Sequence, residues 1–180
     1  MILAGCKHSE DNIKEDEVLS NIDIYDFYYI KKAPAANKKY DLEEVIKFYF
    51  STNSPTSLRI AIDIKNNEIF INPRFSTNGL ITSKGTVLFE DKEILLNILK
   101  KNKIQDWKAD YRTEDPKSYT DGYGWYLILQ FEDGTIEEHR GHGPNDDIFP
   151  EQFEEFVEEI DQLAKDSLGE DYKKDFYSEP

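Results

Sequence analysis

Two histidines in the C-terminal third form the most chemically suggestive pair in this sequence. His139 and His142 stand three positions apart in the segment HRGH, and four carboxylates flank them: Glu137, Glu138, Asp146 and Asp147. Zinc and other transition metals are commonly held by imidazoles together with a carboxylate. The sequence specifies no third ligand, and the H-E-x-x-H pattern of helical metalloproteases is absent. We therefore expect solvated loop histidines without a metal, and a metal-dependent enzyme using His139 and His142 is the least favoured hypothesis.

Other catalytic patterns are missing from the sequence. There is no G-x-S-x-G nucleophile turn, no G-x-G-x-x-G or G-x-x-x-x-G-K-[ST] phosphate loop, and no D-x-[DN]-x-[DN]-G calcium loop. The 37 acidic residues include no pair that its position marks out for general acid and base work. We therefore predict a protein with no catalytic residues and no cofactor, and expect its function to be binding.

The aromatic residues suggest where such binding could occur. Trp107 and Trp125 have the size and setting of core residues. Tyr111, Tyr123 and Tyr126 lie close to them in sequence and could present flat rings with a polar edge to a ligand or a protein. We predict these three tyrosines as a possible binding surface, with routine packing in the core or on the surface as the alternative.

The only cysteine of the chain lies at its N-terminal end, in the segment LAGC at positions 3–6. This segment resembles the lipobox of bacterial lipoproteins, which implies that Cys6 carries a diacylglycerol and becomes the mature N-terminus. A lipobox follows a basic and then an apolar signal region. Only Met1 and Ile2 precede LAGC, so this interpretation places the export signal upstream of Met1. The alternative is a chance match in a disordered N-terminus.

Composition limits the possible partners. The 180 residues carry 37 acidic and 22 basic side chains, which gives a formal net charge of −15. Nucleic-acid binding needs a basic stripe that neutralises phosphates, so a nucleic-acid partner is disfavoured. The same charge opposes adsorption to anionic lipids, which leaves a lipid on Cys6 as the predicted route to a membrane. The sequence contains no run of 18 apolar residues, the length that would indicate a membrane-spanning helix.

The hydrophobic pattern predicts an α+β fold in which an antiparallel sheet carries two main helices on one face. Alternation over 44–51, 58–64 and 68–71 predicts a meander, with a helix as the alternative for 44–51. Alternation over 123–131 and 135–140, joined by Asp133-Gly134, predicts a C-terminal hairpin. Further strands are predicted at 22–30 and 105–111, where β-branched and aromatic residues are frequent. Amphipathic spacing predicts helices at 91–102 and 150–166, the latter opened by Pro150.

These elements imply a simple domain organisation. Residues 1–21 are acid-rich and short of apolar residues after the lipobox remnant, so they are expected to form a flexible polar tether. Residues 22–166 are expected to form a single α+β domain. Residues 167–180 are expected to form a polar tail.

Three stretches of the second half carry a further likeness: NILKKNKIQDW at 97–107, DGYGWYLILQFEDGT at 121–135, and Gly141 followed by Pro150 and Phe153. Together they resemble small domains of bacterial, often Gram-positive, lipoproteins. The resemblance covers a little over a third of the chain and rests on turns, a helix start and core aromatics. It implies an α+β fold and an envelope setting, and it implies no activity because such domains have no agreed one.

Two functional hypotheses follow from the sequence. The first is a lipid-anchored cell-envelope protein whose domain binds a protein or glycan partner outside the cytoplasm. The second is a cytoplasmic acidic interaction protein, such as an inhibitor or an immunity-like factor, in which LAGC is accidental. The acidic face expected on the last helix would suit a basic partner in the second case.

Overall fold

A six-stranded antiparallel sheet forms the centre of the molecule, in a computed structural model that describes residues 23–54, 57–71, 73–75, 80–81, 87–113 and 122–169. Its strands are β1 (Val45–Thr52), β2 (Leu58–Asp63), β3 (Glu68–Ile71), β6 (Val87–Leu88), β7 (Tyr123–Phe131) and β8 (Ile136–Gly143). Across the sheet they lie in the order β6-β3-β2-β1-β7-β8. A separate pair joins β4 (Arg74–Phe75) to β5 (Leu80–Ile81). The α+β fold predicted from the sequence, with its meander and C-terminal hairpin, is confirmed.

Two helices, α1 (Lys92–Lys101) and α2 (Phe153–Leu168), cover one side of the sheet, called here the helix face. Alternate residues of each strand point to this face because side chains in a strand alternate with a period of two. On β7 these are Trp125, Leu127, Leu129 and Phe131, all buried. On α2 the buried residues recur at helical spacing: Phe153, Phe156, Val157, Ile160, Leu163 and Ala164. The alternation of β7 and the helical spacing of α2 can both be recognised in the sequence.

The opposite face of the sheet is covered in part by residues 23–36, called here the N-terminal segment. Phe27, Ile30 and Ala33 of this segment pack on a second apolar cluster of the sheet, which contains Tyr49, Ala61, Ile128 and Ile136. The strand predicted over 22–30 is therefore wrong, because Phe27–Lys32 forms a 3-10 helix. The Asp23 and Asp26 side chains accept hydrogen bonds from the backbone N–H two residues ahead, which turns the chain away from an extended path.

A β-bulge lies at the start of β1. Val45 pairs with Phe131 and Lys47 pairs with Gln130, so one residue is inserted between them. The insertion places Val45 in the helix-face core and leaves Lys47 on the opposite face, under the N-terminal segment. The turn before β1 (Leu42–Glu44) is a 3-10 helix with a capping box on Asp41. The helical and strand signals in this part of the sequence therefore both correspond to structure.

Several predicted elements differ from the structure in type or in bounds. Over 105–111 the chain forms a short 3-10 helix (Ile104–Asp106) and then a single bridge from Asp110 to Arg140, instead of a strand. α2 begins three residues after Pro150 and continues to Leu168, two residues into the predicted tail. The rest of that tail from 170, and the predicted tether at 1–21, lie outside the described residues.

Candidate functional site

β8 places the two candidate metal ligands on opposite faces of the sheet. His139 pairs with Leu127 across the hairpin and points to the helix face, whereas His142 pairs with Gly124 and lies on the opposite face. Residues three apart in a strand always have this relation, since the side-chain period is two. His139 and His142 therefore cannot bind one metal ion, and neither is a loop residue. Within the described part of the chain, no group of three or more His, Cys, Asp or Glu side chains is placed to hold a metal.

His139 has a structural position in the core. Its side chain is 4% exposed. Its Nδ1 lies 3.0 Å from the carbonyl oxygen of Lys108, and its Nε2 lies 2.8 Å from Glu137 Oε1. The ring also meets the edge of Trp107, with 6.2 Å between centroids. These contacts hold the segment after α1 against β8. The His139 imidazole thus has a structural role, in packing and in hydrogen bonds at both ring nitrogens.

The three candidate tyrosines do not share one surface. Tyr126 lies on the opposite face, in register with Ser51 and Arg140. Tyr123 lies three residues before Tyr126 on β7, so its side chain points to the helix face. The centroid of its ring lies 6.1 Å from that of Phe149. Tyr111 packs on Trp125 at 5.7 Å between ring centroids and accepts a hydrogen bond from the Lys108 N–H. Only Tyr126 lines the groove described next. Trp107 and Trp125 are buried, as expected.

An open groove of about 530 Å³ lies at the end of the opposite face that the N-terminal segment leaves uncovered. We call it the β7–β8 groove. Among the described residues, ten line it: Lys31, Ser51, Arg112, Gly124, Trp125, Tyr126, Glu138, Arg140, Gly141 and His142. They come from the N-terminal segment, from β1, β7 and β8, and from the stretch 109–113. Hydrogen bonds from Tyr111 N to Arg140 O and from Thr113 N to His142 O hold that stretch along the edge of β8.

Two arginines of the groove, Arg112 and Arg140, are held by one carboxylate. Arg112 donates from Nε to both carboxylate oxygens of Asp110, at 2.9 and 2.8 Å, and Arg140 donates from Nε and Nη2 to Asp110 Oδ2 at 3.2 and 3.1 Å. Hydrogen bonding by Arg112 holds the pKa of Asp110 well below its usual range. One carboxylate thus orients two guanidinium groups that remain about half exposed.

Lys31, Tyr126 and Glu138 form a second group of contacts within the groove. The Tyr126 hydroxyl donates to Glu138 Oε1, and burial with this bond raises the pKa of the Tyr126 phenol above its usual range. The Lys31 ammonium lies over the Tyr126 ring, 4.5 Å from its centroid. Burial lowers the pKa of Lys31, and the negative charge of Glu138 opposes that shift. The Tyr126 ring is therefore covered on one side by a cation.

Among the described residues that line the groove, no serine is paired with a histidine. Ser51 is its hydroxyl-bearing serine, and this side chain is hydrogen-bonded to the Tyr49 hydroxyl. His142 lies on β8, two strand spacings or about 10 Å from β1. A Ser–His pair needs contact within hydrogen-bonding distance. Ser51 and His142 therefore do not form such a pair, and the groove presents charged and hydrogen-bonding side chains held in place by their neighbours.

Sequence reasoning missed most of this site. The sequence analysis assigns no role to Lys31, Arg112 or Arg140. Asp110 and Arg112 are two residues apart and Arg140 follows 28 residues later, so no local pattern joins them. The candidate lipidation residue, Cys6, lies outside the described residues. Among the described helices, none combines the length and apolar character needed to cross a membrane.

With the geometry of the groove established, similarity to other proteins adds no assignment. Comparisons of the chain with protein-family models, with curated proteins and with solved structures gave no significant match.

Proposed function

We propose that this protein is a lipid-anchored binding domain of the cell envelope, without enzymatic activity, which holds a protein or glycan partner in the β7–β8 groove. The observation that carries the proposal is the groove itself. It is open, it has room for a short peptide or a small oligosaccharide, and fixed charged side chains line it. Its described polar groups are held by structural hydrogen bonds, and its serine and histidine lie on different strands and are not paired.

The proposed anchor rests on the sequence around Cys6. The chain has no other cysteine, LAGC resembles a lipobox, and an acid-rich stretch follows it. From Cys6 to Asp23 an extended chain spans at most about 60 Å, at roughly 3.3–3.6 Å per residue. Such a tether would let the domain turn freely beside a membrane. The net charge of −15 would keep the domain off anionic lipids, so the lipid would be its only membrane contact.

Anchoring can be tested by expressing the natural gene in its host. Wild-type protein should incorporate a labelled fatty acid and sediment with membranes, and Cys6→Ser should abolish both. Ser9→Ala, a change in the same stretch that leaves the thiol in place, is the matched control. Wild-type protein that stays unlabelled in the soluble fraction would refute the anchor.

That outcome would favour the second candidate, a cytoplasmic acidic interaction protein of the inhibitor or immunity-like kind. The exposed face of α2 supports this candidate, because Glu154, Glu155 and Glu158 are exposed there and Asp146 and Asp147 are exposed just before the helix. A cluster of this sign steers association with a basic partner. The groove would keep its proposed role as a binding site in either location.

Binding at the groove can be tested by site-specific photocrosslinking in cells. A photoreactive phenylalanine analogue at position 142, within the groove, should give a discrete crosslinked species. The same analogue at position 94 is the control, since Ile94 is 50% exposed on α1, across the sheet from the groove. Absence of a species specific to position 142 would contradict the assignment of the groove.

A further inference from the structure

We propose that the β7–β8 groove binds an oxyanion, a carboxylate or phosphoryl group carried by the partner, between Arg112, Arg140 and Lys31. This inference rests on the proposed function and specifies the chemistry of the same site. It follows from three features of the groove: its local charge, the way its arginines are fixed, and the covering of its aromatic rings.

The groove is locally cationic in an acidic protein. Among the described residues at the groove, Lys31, Arg112 and Arg140 outnumber Glu138 and Asp110 by one positive charge, whereas the whole chain has fifteen excess negative charges. The chain has four arginines, and besides Arg112 and Arg140 a third, Arg59, lies on the same face opposite Ser51. Because the Debye length is about 8 Å at physiological salt, an approaching anion responds mainly to this local excess.

The two guanidinium groups are already oriented before a ligand arrives. Asp110 engages the Nε and Nη2 edge of Arg140 and the same edge of Arg112. A guanidinium has five N–H donors in a rigid plane, so Arg140 can serve a second acceptor while Asp110 holds its Nε and Nη2 edge. The side chains of Arg112 and Arg140 are 49% and 44% exposed, which leaves them accessible from solvent. Bidentate recognition of carboxylate and phosphate is the chemistry for which arginine is best suited.

The aromatic residues of the groove do not offer an open ring to a neutral sugar. Trp125 is buried and packs between Trp107 and Phe153. The Tyr126 ring is covered by the Lys31 ammonium. That ammonium is itself partly buried, which lowers its pKa, so a negative charge added beside it would stabilise its charged form. Charge is therefore the main means of recognition that the groove offers.

The test is an NMR titration of the full 180-residue chain, labelled with ¹⁵N, at constant ionic strength in chloride. Inorganic phosphate is one probe and acetate the other. We expect saturable shifts that are confined to amides lining the groove, among them Gly124, Gly141 and His142. Saturation by phosphate alone would assign a phosphoryl group, and saturation by acetate would assign a carboxylate.

Variants show whether the arginines are responsible. Arg140→Gln should weaken the binding about tenfold or more, because it removes a charge-assisted hydrogen bond. Lys31→Gln, which leaves the Asp110 contacts intact, serves if Arg140→Gln disturbs the fold. Lys165→Gln is the matched control, since it makes the same change of charge on α2, away from the groove, and should leave the affinity unchanged.

The proposal is overturned if neither probe gives saturable shifts, if the shifts spread over the whole surface, or if folded Arg140→Gln and Lys31→Gln variants bind as the wild type does. Failure of the titration together with crosslinking at position 142 would remove the oxyanion and leave the proposed binding function standing. Loss of that crosslinking would remove the partner instead, whatever the titration gave.

Discussion

The buried ion pair between Lys47 and Asp63 allows the sharpest test of how the N-terminal segment is held on the sheet. The two side chains are 3% and 6% exposed, and Lys47 Nζ lies 3.5 Å from Asp63 Oδ2. Lys47 also donates to the backbone carbonyl of Tyr25, and Asp63 accepts from the N–H and side-chain amide of Asn66 at 3.1 and 2.9 Å. Lys47→Met keeps the apolar stem and removes the ammonium. A buried carboxylate then loses its cation, and Tyr25 loses this donor.

The geometry sets the size of the effect. Two unit charges 3.5 Å apart attract by about 5 kcal/mol at an effective dielectric constant of about 20. Breaking a buried pair from one side typically costs about 3–5 kcal/mol. We expect Lys47→Met to lose a similar free energy of unfolding, a large part of the roughly 5–15 kcal/mol available to a domain. The double variant Lys47→Met/Asp63→Asn should lose less than the sum of the single variants, by about 2–3 kcal/mol.

The assay is urea unfolding at 25 °C and neutral pH of the wild type, both single variants and the double variant. Lys39→Met is the control, because the Lys39–Asp106 pair is 63% and 68% exposed and should contribute less than about 1 kcal/mol. Hydrogen exchange at Ala33 and Ala36 should quicken in Lys47→Met if the N-terminal segment loosens first. A loss below about 1 kcal/mol for Lys47→Met, or additive losses in the double variant, would refute the reasoning.

Two other predictions concern the surroundings of the groove. Gly141→Ala should destabilise the fold by about 1–3 kcal/mol. The added Cβ would lie 2.1 Å from Trp125 Nε1 and 2.4 Å from Ile148 O, and it would break the hydrogen bond between these two atoms. The measurement is thermal unfolding, and a variant as stable as the wild type would contradict this packing. Arg112→Gln should raise the pKa of Asp110 toward the usual value of about 3.9, measured by carbon NMR titration. Because the pKa of Asp110 is lowered in the fold, its carboxylate stabilises the protein above about pH 4, and this stabilisation is lost on acidification. The difference in unfolding free energy between wild type and Arg112→Gln should therefore shrink as the pH falls. A difference that stays constant with pH would contradict the role of Arg112 beside Asp110.

The sheet and the helices could be predicted because their signals are local. The alternation of β7 assigns Trp125, Leu127 and Leu129 to one face and Tyr126 and Ile128 to the other, and the structure has them there. The apolar spacing of α2 likewise identifies its buried face. In both cases the period of the element is visible in a window shorter than the element itself.

The N-terminal segment was mispredicted because its composition suits a strand while its packing does not require one. Phe27 and Ile30 are buried, but they cover a sheet face whose buried apolar residues lie on four different strands. The local signal that could have corrected the prediction is the pair Asp23 and Asp26, whose side chains favour turns over extended chain. Because residues 22–30 were predicted as a strand, the sequence did not indicate that a segment covers Lys47. Without that segment the Lys47 side chain would face solvent.

For the candidate site, the predicted strand was too short to exclude a shared metal ion. The sequence predicts a strand over 135–140 and leaves His142 beyond its end. In the structure β8 continues to Gly143, so His139 and His142 are both strand residues and point to opposite faces. The groove could not be predicted, because Arg112 and Arg140 meet only where the stretch 109–113 runs along the edge of β8. Contacts between distant parts of the chain leave no periodic trace in the sequence.

The N-terminal segment connects the proposed anchor with the proposed binding site. The chain from Cys6 enters the described domain at Asp23, is held by Lys47 and by Gln130, which donates to Ile24 O at 2.7 Å, and then brings Lys31 over Tyr126 in the groove. A loosened segment would displace Lys31 although no atom of Lys47 lines the groove. Lys47→Met should therefore weaken the saturable phosphate shifts as well as the fold. Unchanged phosphate affinity in a folded Lys47→Met variant would show that the groove keeps its geometry independently of the segment that leads to the anchor.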